Sequence, residues 1–251
     1  MKDTHTVIVG GGIIGLSIAW RLARAGRRVT IVERGKIGFE ASRLAAGILG
    51  AAAEVGFEES ELYDLCRHSL EIWPDFVREL EADSGMVVDY RSNGTLIVAN
   101  DRDSTEALRR EYAFQQEQGY SVEWLSASDV LEVEPFLSPK IVAAVRAPKE
   151  HSVDNRKVLK ALHASILKLG GTVLEHTEVR ELDMKGPEVL THLRIGEPLK
   201  SSSVVLSAGA WSRQIGGIPE ASIPPVRPVK GQILELQMED PFPLHHVIRG
   251  P

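Results

Sequence analysis

A chain of 251 residues with 43% hydrophobic and 25% charged residues has the composition of a soluble globular protein, long enough to bury about 70–75% of its unfolded surface. A formal net charge of −6 argues against a general nucleic-acid or anionic-membrane surface, which demands clustered lysine and arginine. One cysteine, Cys66, excludes an internal disulfide framework and a cysteine-cluster metal site, and no run of about 18 apolar residues is present to span a bilayer.

Met1–Asp3 leads at once into an apolar run, leaving no room for a leader peptide, so a cytoplasmic location is expected. Val7–Val9 is too short for an ordinary helix and too apolar for a surface loop, and predicts a buried parallel strand. Gly10, Gly12 and Gly15 follow as G-x-G-x-x-G. Gly10 permits a tight turn, Gly12 lets a phosphate approach the backbone, and Gly15 lets the next helix pack closely on the sheet. Ile14, Ile18, Leu22 and Ala25 recur at helical spacing and predict the face that lies on the sheet, with Gly26 ending the helix. The helix N-terminus then offers free amides and a positive dipole end to a phosphate. Val29–Val32 is the second strand, and Glu33 stands near the spacing of about 20 residues expected of the carboxylate that accepts ribose hydroxyls. Strand, glycines, helix, strand and acid in this order point to a dinucleotide with a free ribose 2′-hydroxyl, but do not separate NAD from FAD.

Arg34–Ala53 is rich in Ala, Gly and Ser. Such a stretch permits close approach to a flat ring system, and on composition alone it equally suits an alanine-rich helix. Leu62–Leu80 carries helical periodicity that includes Cys66 as a small core residue, with a catalytic thiol as the second reading. Val87–Tyr90 and Thr95–Ala99 flank Asn93-Gly94, a hairpin signal, and a charged helix is expected over 104–118. Further strands are predicted at 122–125 and 141–146. A helix over 156–169 with Asp154 as its cap, a strand at 172–174, and strands at 189–195 and 203–207 follow. VVLSAGAWS carries the chain through Ala208 and Gly209 into a short helix at Trp211, a second place where backbone could meet the ligand; a strand is expected over 230–236. The interleaving implies a dinucleotide-binding domain over 1–85 and 148–225 and a second domain over 86–147 and 226–251.

VIVGGGIIG, ERGKIGFEASRLAAGILGAAAE, SVDNRKVLKAL, EHTEV, VVLSAGAWS and RPVKGQIL, in this order, resemble the FAD-dependent amino-acid oxidases, a family that includes D-amino-acid, sarcosine and glycine oxidases. Within it the chain is most similar to the glycine oxidases of bacterial thiamine biosynthesis. The resemblance implies an α/β fold: a Rossmann-like FAD-binding domain with a parallel sheet, plus an interleaved α+β substrate domain with a mixed or antiparallel sheet. It implies that Gly10, Gly12, Ile13, Ile14 and Gly15 surround the pyrophosphate, that Glu33 and Arg34 meet the adenosine ribose and its surroundings, and that Ala41 and Ser42 approach the diphosphate. Ala46, Gly47 and Ile48 would lie along the flavin ring and Val179 would contact adenine through its backbone.

The implied reaction is oxidative deamination of glycine or another small amino acid, with oxygen as acceptor, giving the 2-oxo acid, ammonia and hydrogen peroxide. A D-amino-acid dehydrogenase using another acceptor, or a non-catalytic dinucleotide-binding protein, are the alternatives. The flavin carries the hard chemistry, so no catalytic triad is expected and none is visible. His151, His163, His176, His192, His245 and His246 show no ligand pattern, and no metal is expected. In the family the substrate arginine and tyrosine stand beyond the position of Pro251, so the sequence as given is expected to be incomplete and not to turn over. No stable membrane insertion and no nucleic-acid partner are expected, and a homo-oligomer is compatible with this reading.

Overall fold

The computed structural model describes residues 5–54, 59–236 and 244–250. Met1–Asp3, residues 237–243 of the closing stretch and Pro251, on which expectations were placed, lie outside the described residues. In chain order the elements are β1 (His5–Val9), α1 (Ile13–Arg24), β2 (Arg28–Val32), α2 (Ala41–Leu44), β3 (Ile48–Leu49) and α3 (Ser60–Ser84). Then come β4 (Thr95–Ala99), α4 (Arg102–Glu117), β5 (Glu123–Ser126), α5 (Ala127–Val133), β6 (Ala143–Ala147) and β7 (His151–Ser152). The rest comprises α6 (Asn155–Lys168), β8 (Thr172–Leu174), β9 (Val179–Asp183), β10 (Val189–Leu193), β11 (Leu199–Ser201), β12 (Ser203–Leu206), 3-10 turns at Gly209–Gln214 and Glu220–Ser222, and β13 (Val247–Arg249).

These elements sort into two compact units. One comprises Met1–Ala46, Glu79–Val88 and Asn155–Ile233; the other Gly47–Arg78, Asp89–Asp154 and Leu234–Pro251. Compared with the boundaries expected from sequence, the largest difference is residues 47–78, which group with the second unit.

The first unit is built on a parallel sheet in the order β12-β1-β2-β8. Such a sheet is apolar on both faces, and Val7, Ile8 and Ile31 are fully buried in it. Helix α1 turns a different face inward from the one expected: Gly15, Leu16, Ala19, Trp20 and Ala23 are buried, whereas Ile14 is 63% exposed. Both sets recur at helical spacing, and the close approach of Gly15 decides between them. The indole Nε1–H of the fully buried Trp20 donates to Asp83 Oδ2 at 2.8 Å, while Arg21 and Arg24 pair with Glu79, so α1 is tied to the C-terminal end of α3. Helix α6 buries Val158, Leu159, Ala161, Leu162 and Ile166 along one stripe. A separate antiparallel sheet, β11-β10-β9, packs Val179 and Leu182 against Val7, Val9 and Val32 of the parallel one.

The second unit centres on a mixed sheet, β13-β4-β6-β5, in which β13 runs parallel to β4 and the other pairs are antiparallel. Two capping boxes start its helices: Asp101 with Ser104 on α4, and Ser126 with Asp129 on α5. Two fully buried carboxylates fasten irregular chain to this sheet. Glu150 Oε1 accepts from the amides of Ala51 and Ala53 at 2.9 and 2.8 Å, and Glu134 Oε1 accepts from His245 N, His246 N and His246 Nδ1 at 2.7, 2.6 and 2.8 Å. The histidine pair thus anchors the approach to β13.

Two expected strands are corrected. Residues 87–90 form no strand and no hairpin with β4: Gly94, at φ +90°, turns the chain against Ala147 and Pro148, Arg91 bridges to Ser152, and β4 pairs with β6 and β13 instead. Residues 230–236 join no ladder among the described residues, and Leu234 and Leu236 are 88% and 80% exposed, with no neighbouring strand to take up their backbone groups.

Replacing Trp20 with alanine removes the largest fully buried side chain of the first unit together with its bond to Asp83. The expected loss is about 3–5 kcal/mol of unfolding free energy by urea denaturation of the full chain. A loss below about 1 kcal/mol would show that α1 is seated by other contacts.

Candidate functional site

The turn between β1 and α1 is made from backbone. Gly10 takes φ +105°, and a Cβ there would press into Ser207 and Ala208 at the end of β12, so only glycine permits the two strands to sit side by side at this point. Gly10 N–H donates to Val32 O at 2.9 Å, and Ser207 N–H and Oγ–H both donate to Val9 O, at 2.8 and 3.0 Å. A Cβ on Gly15 would meet Ser207 Oγ at 2.7 Å and collide with the Gly10 carbonyl, which brings the first turn of α1 down onto the strand ends. Gly12 is the N-cap of α1 and carries no side-chain cap; Ile13 N–H donates instead to Ser42 Oγ at 2.9 Å.

Glu33 faces this turn. Its Oε2 accepts from Gly11 N–H and its Oε1 from Gly35 N–H, both at 2.8 Å, so the carboxylate is oriented by two backbone donors. A carboxylate has about four lone-pair sites, so each oxygen retains capacity for a hydroxyl. The following loop is stitched to the E-H-T-E-V segment: Thr177 N–H donates to Glu33 O at 2.8 Å, His176 N–H to Gly35 O at 3.0 Å, and Ile37 N–H to Glu175 Oε1 at 2.7 Å. Asn155 Nδ2 holds α2 through the carbonyls of Ser42 and Arg43 at 2.7 and 3.0 Å.

These elements enclose a cavity of about 570 Å³, within the range of small-molecule and cofactor sites. Of the expected site residues, Gly10, Gly12, Ile13, Ile14, Glu33, Arg34, Ala41, Ser42 and Val179 line it, as do Ala208 and Gly209. Gly15 lies buried beneath the wall and shapes it. Ala46 is exposed and, like Gly47 and Ile48, is not on this wall; Gly47 and Ile48 belong to the second unit.

Sequence reasoning did not single out Ser207, Trp211, Gln214, Glu178 or Arg194, which also line the cavity. For Ser207 and Trp211 the signal was the strand-to-small-residue junction VVLSAGAWS; for Glu178 it was E-H-T-E-V. Arg194 Nε and Nη2 donate to the two Glu178 oxygens at 2.7 and 2.9 Å, a bidentate pair. This bond holds the Glu178 carboxyl below the usual carboxylate range, and the charges of Arg194 and Arg34 act in the same direction. Among the described residues no cluster of three or more His, Cys, Asp or Glu side chains is placed to hold a metal, and no helix is long and apolar enough to cross a membrane.

The residues present fit FAD. The N-terminus of α1 opens on the cavity with a glycine as its N-cap, a Cβ on Gly12 would meet Ser42 Oγ at 3.0 Å and intrude on that space, and an oriented carboxylate stands at the end of β2.

Comparison with known proteins agrees. The sequence profile of the FAD dependent oxidoreductase family matches residues 5–250. The chain is 32% identical over 240 residues to glycine oxidase of Geobacillus kaustophilus (strain HTA426), covering 94% of this chain and 62% of that protein. It is 31% identical over 243 residues to glycine oxidase of Bacillus subtilis (strain 168), covering 95% and 63%. The crystal structure of the Geobacillus kaustophilus glycine oxidase superposes with a TM-score of 0.78 at 30% identity, over 84% of this chain and 57% of that one. The chain therefore spans about three-fifths of the length of these relatives. By its glycine turn, its oriented Glu33 and a match along nearly its whole length, the chain belongs to the FAD-dependent oxidoreductase family, whose cofactor is FAD.

Proposed function

We propose that the full-length protein oxidises glycine or another small amino acid with oxygen, and that hydrolysis of the resulting imine by water yields the 2-oxo acid and ammonia alongside hydrogen peroxide. The observation that carries this reading is the cavity at the β1–α1 turn, with its oriented Glu33 and glycine-capped helix N-terminus, in a chain more than 30% identical to two glycine oxidases. When bound, the flavin supplies two-electron acceptance from the substrate α-carbon.

The work assigned to this chain's residues is binding and orientation. The N-terminal turn of α1, with its positive dipole end, would hold the diphosphate, with Ser42 beside it; Glu33 would take the ribose hydroxyls while keeping the turn closed through Gly11. Val179 would meet adenine through its backbone, and Arg34 would stand beside the adenosine. Ala46, Gly47 and Ile48 would run along the flavin ring, where small side chains allow close approach and Ile48 would form one wall of the substrate space.

Full-length protein should purify with a flavin spectrum and release peroxide with glycine, sarcosine or D-alanine. Flavin reduction without peroxide under air would instead indicate a dehydrogenase with another acceptor. A colourless protein that takes up no FAD would overturn the oxidase reading.

Gly12→Val should abolish FAD uptake by filling the space over the helix N-terminus, and an unchanged flavin absorbance would refute the cradle. Ile48→Trp should lower activity on bulkier substrates more than on glycine. Equal kinetics across a substrate series would remove Ile48 from the site.

A further inference from the structure

We propose that Trp211 is a positioning residue for the adenine end of the flavin, acting through Arg34; the inference rests on the FAD reading above. Arg34 directly follows Glu33 at the end of β2, and Trp211 enters from the 3-10 turn that follows β12. Both line the same cavity, together with Val179. The guanidinium carbon of Arg34 lies 3.6 Å from the centroid of the Trp211 ring, van der Waals distance for a planar cation resting on an indole face.

The cation is steered from the sides as well. Glu40 Oε1 lies 3.7 Å from Arg34 Nη2, and the Arg34 charge acts on Glu178, whose two oxygens are already taken by Arg194. A long side chain with several rotatable bonds is thus confined near one plane, directly after Glu33, the carboxylate assigned to the ribose hydroxyls. The Arg34 side chain stays 39% exposed, so it is not sealed off from a ligand by the indole. Purine bases stack on guanidinium planes, and the gain is larger when the plane is already fixed. Trp211 supplies that fixing. The layered arrangement is Trp211, Arg34 and adenine, in which the indole does not touch the base.

FMN lacks the adenosine half, so a residue acting only at the adenine end must affect FAD and spare FMN. Dissociation constants for both flavins are measured on the full chain by quenching of flavin fluorescence. Trp211→Leu should weaken FAD about tenfold and leave FMN unchanged, and Trp211→Phe should restore most of the affinity. Arg34→Ala, at an exposed position, should reproduce the loss, and the double variant should lose no more than either single one because the two side chains act as a unit.

Unchanged FAD affinity in Trp211→Leu, equal weakening of FAD and FMN, or additive losses in the double variant would each overturn this inference while leaving the cofactor reading intact. A wild-type chain that binds no flavin would overturn both.

Discussion

The seating of Gly15 against the Gly10 carbonyl and Ser207 is the constraint on which the rest of the first unit depends. With no Cβ in the way, the first turn of α1 reaches the ends of β1 and β12, and that contact sets the rotation of the helix about its axis. Leu16, Ala19, Trp20 and Ala23 then have to face the sheet, and Ile14 has to face the cavity. A methyl group at this one position would push the helix outward, turn its apolar face and move the amides at its N-terminus. Packing and ligand geometry are one problem here, solved by the same absent atom.

Glu33 shows the same economy in polar form. It is bound to Gly11 and Gly35, so it braces the glycine turn before any ligand arrives. Preorganisation of this kind lowers the cost of binding because the carboxylate needs no reorientation. Around it the cavity wall pairs arginines with carboxylates, Arg34 with Glu40 and Arg194 with Glu178.

Much of this was legible in the order of residues, and what was not has identifiable causes. β1 and β2 were readable because buried parallel strands are short apolar runs bounded by glycine or charge, and β8, a half-exposed edge strand, because the Gly170-Gly171 pair sets it off from α6. The rotation of α1 was not, since Ile14-Ile18-Leu22 and Leu16-Ala19-Trp20-Ala23 satisfy the same helical spacing and only a tertiary contact separates them. Asn93-Gly94 looked like a hairpin, yet the positive φ of Gly94 serves a different turn, packed on Ala147. Glycine in the sequence announces a special conformation without saying which partner requires it. In the site, local motifs located the turn, the acid and the E-H-T-E-V stretch, whereas Trp211 over Arg34 is a meeting of distant residues that no local pattern encodes.

The pairing of β1 with β12 carries a consequence for the birth of the protein. Thr6 and Ser203 are bonded across the sheet although 197 residues separate them. The ribosome therefore releases the glycine turn long before the strand that completes it has been made. During that interval Val7, Ile8 and Val9 lack one of their two neighbouring strands, and the nascent chain must be kept from pairing that edge elsewhere. The glycine turn is accordingly completed only after β12 has been made.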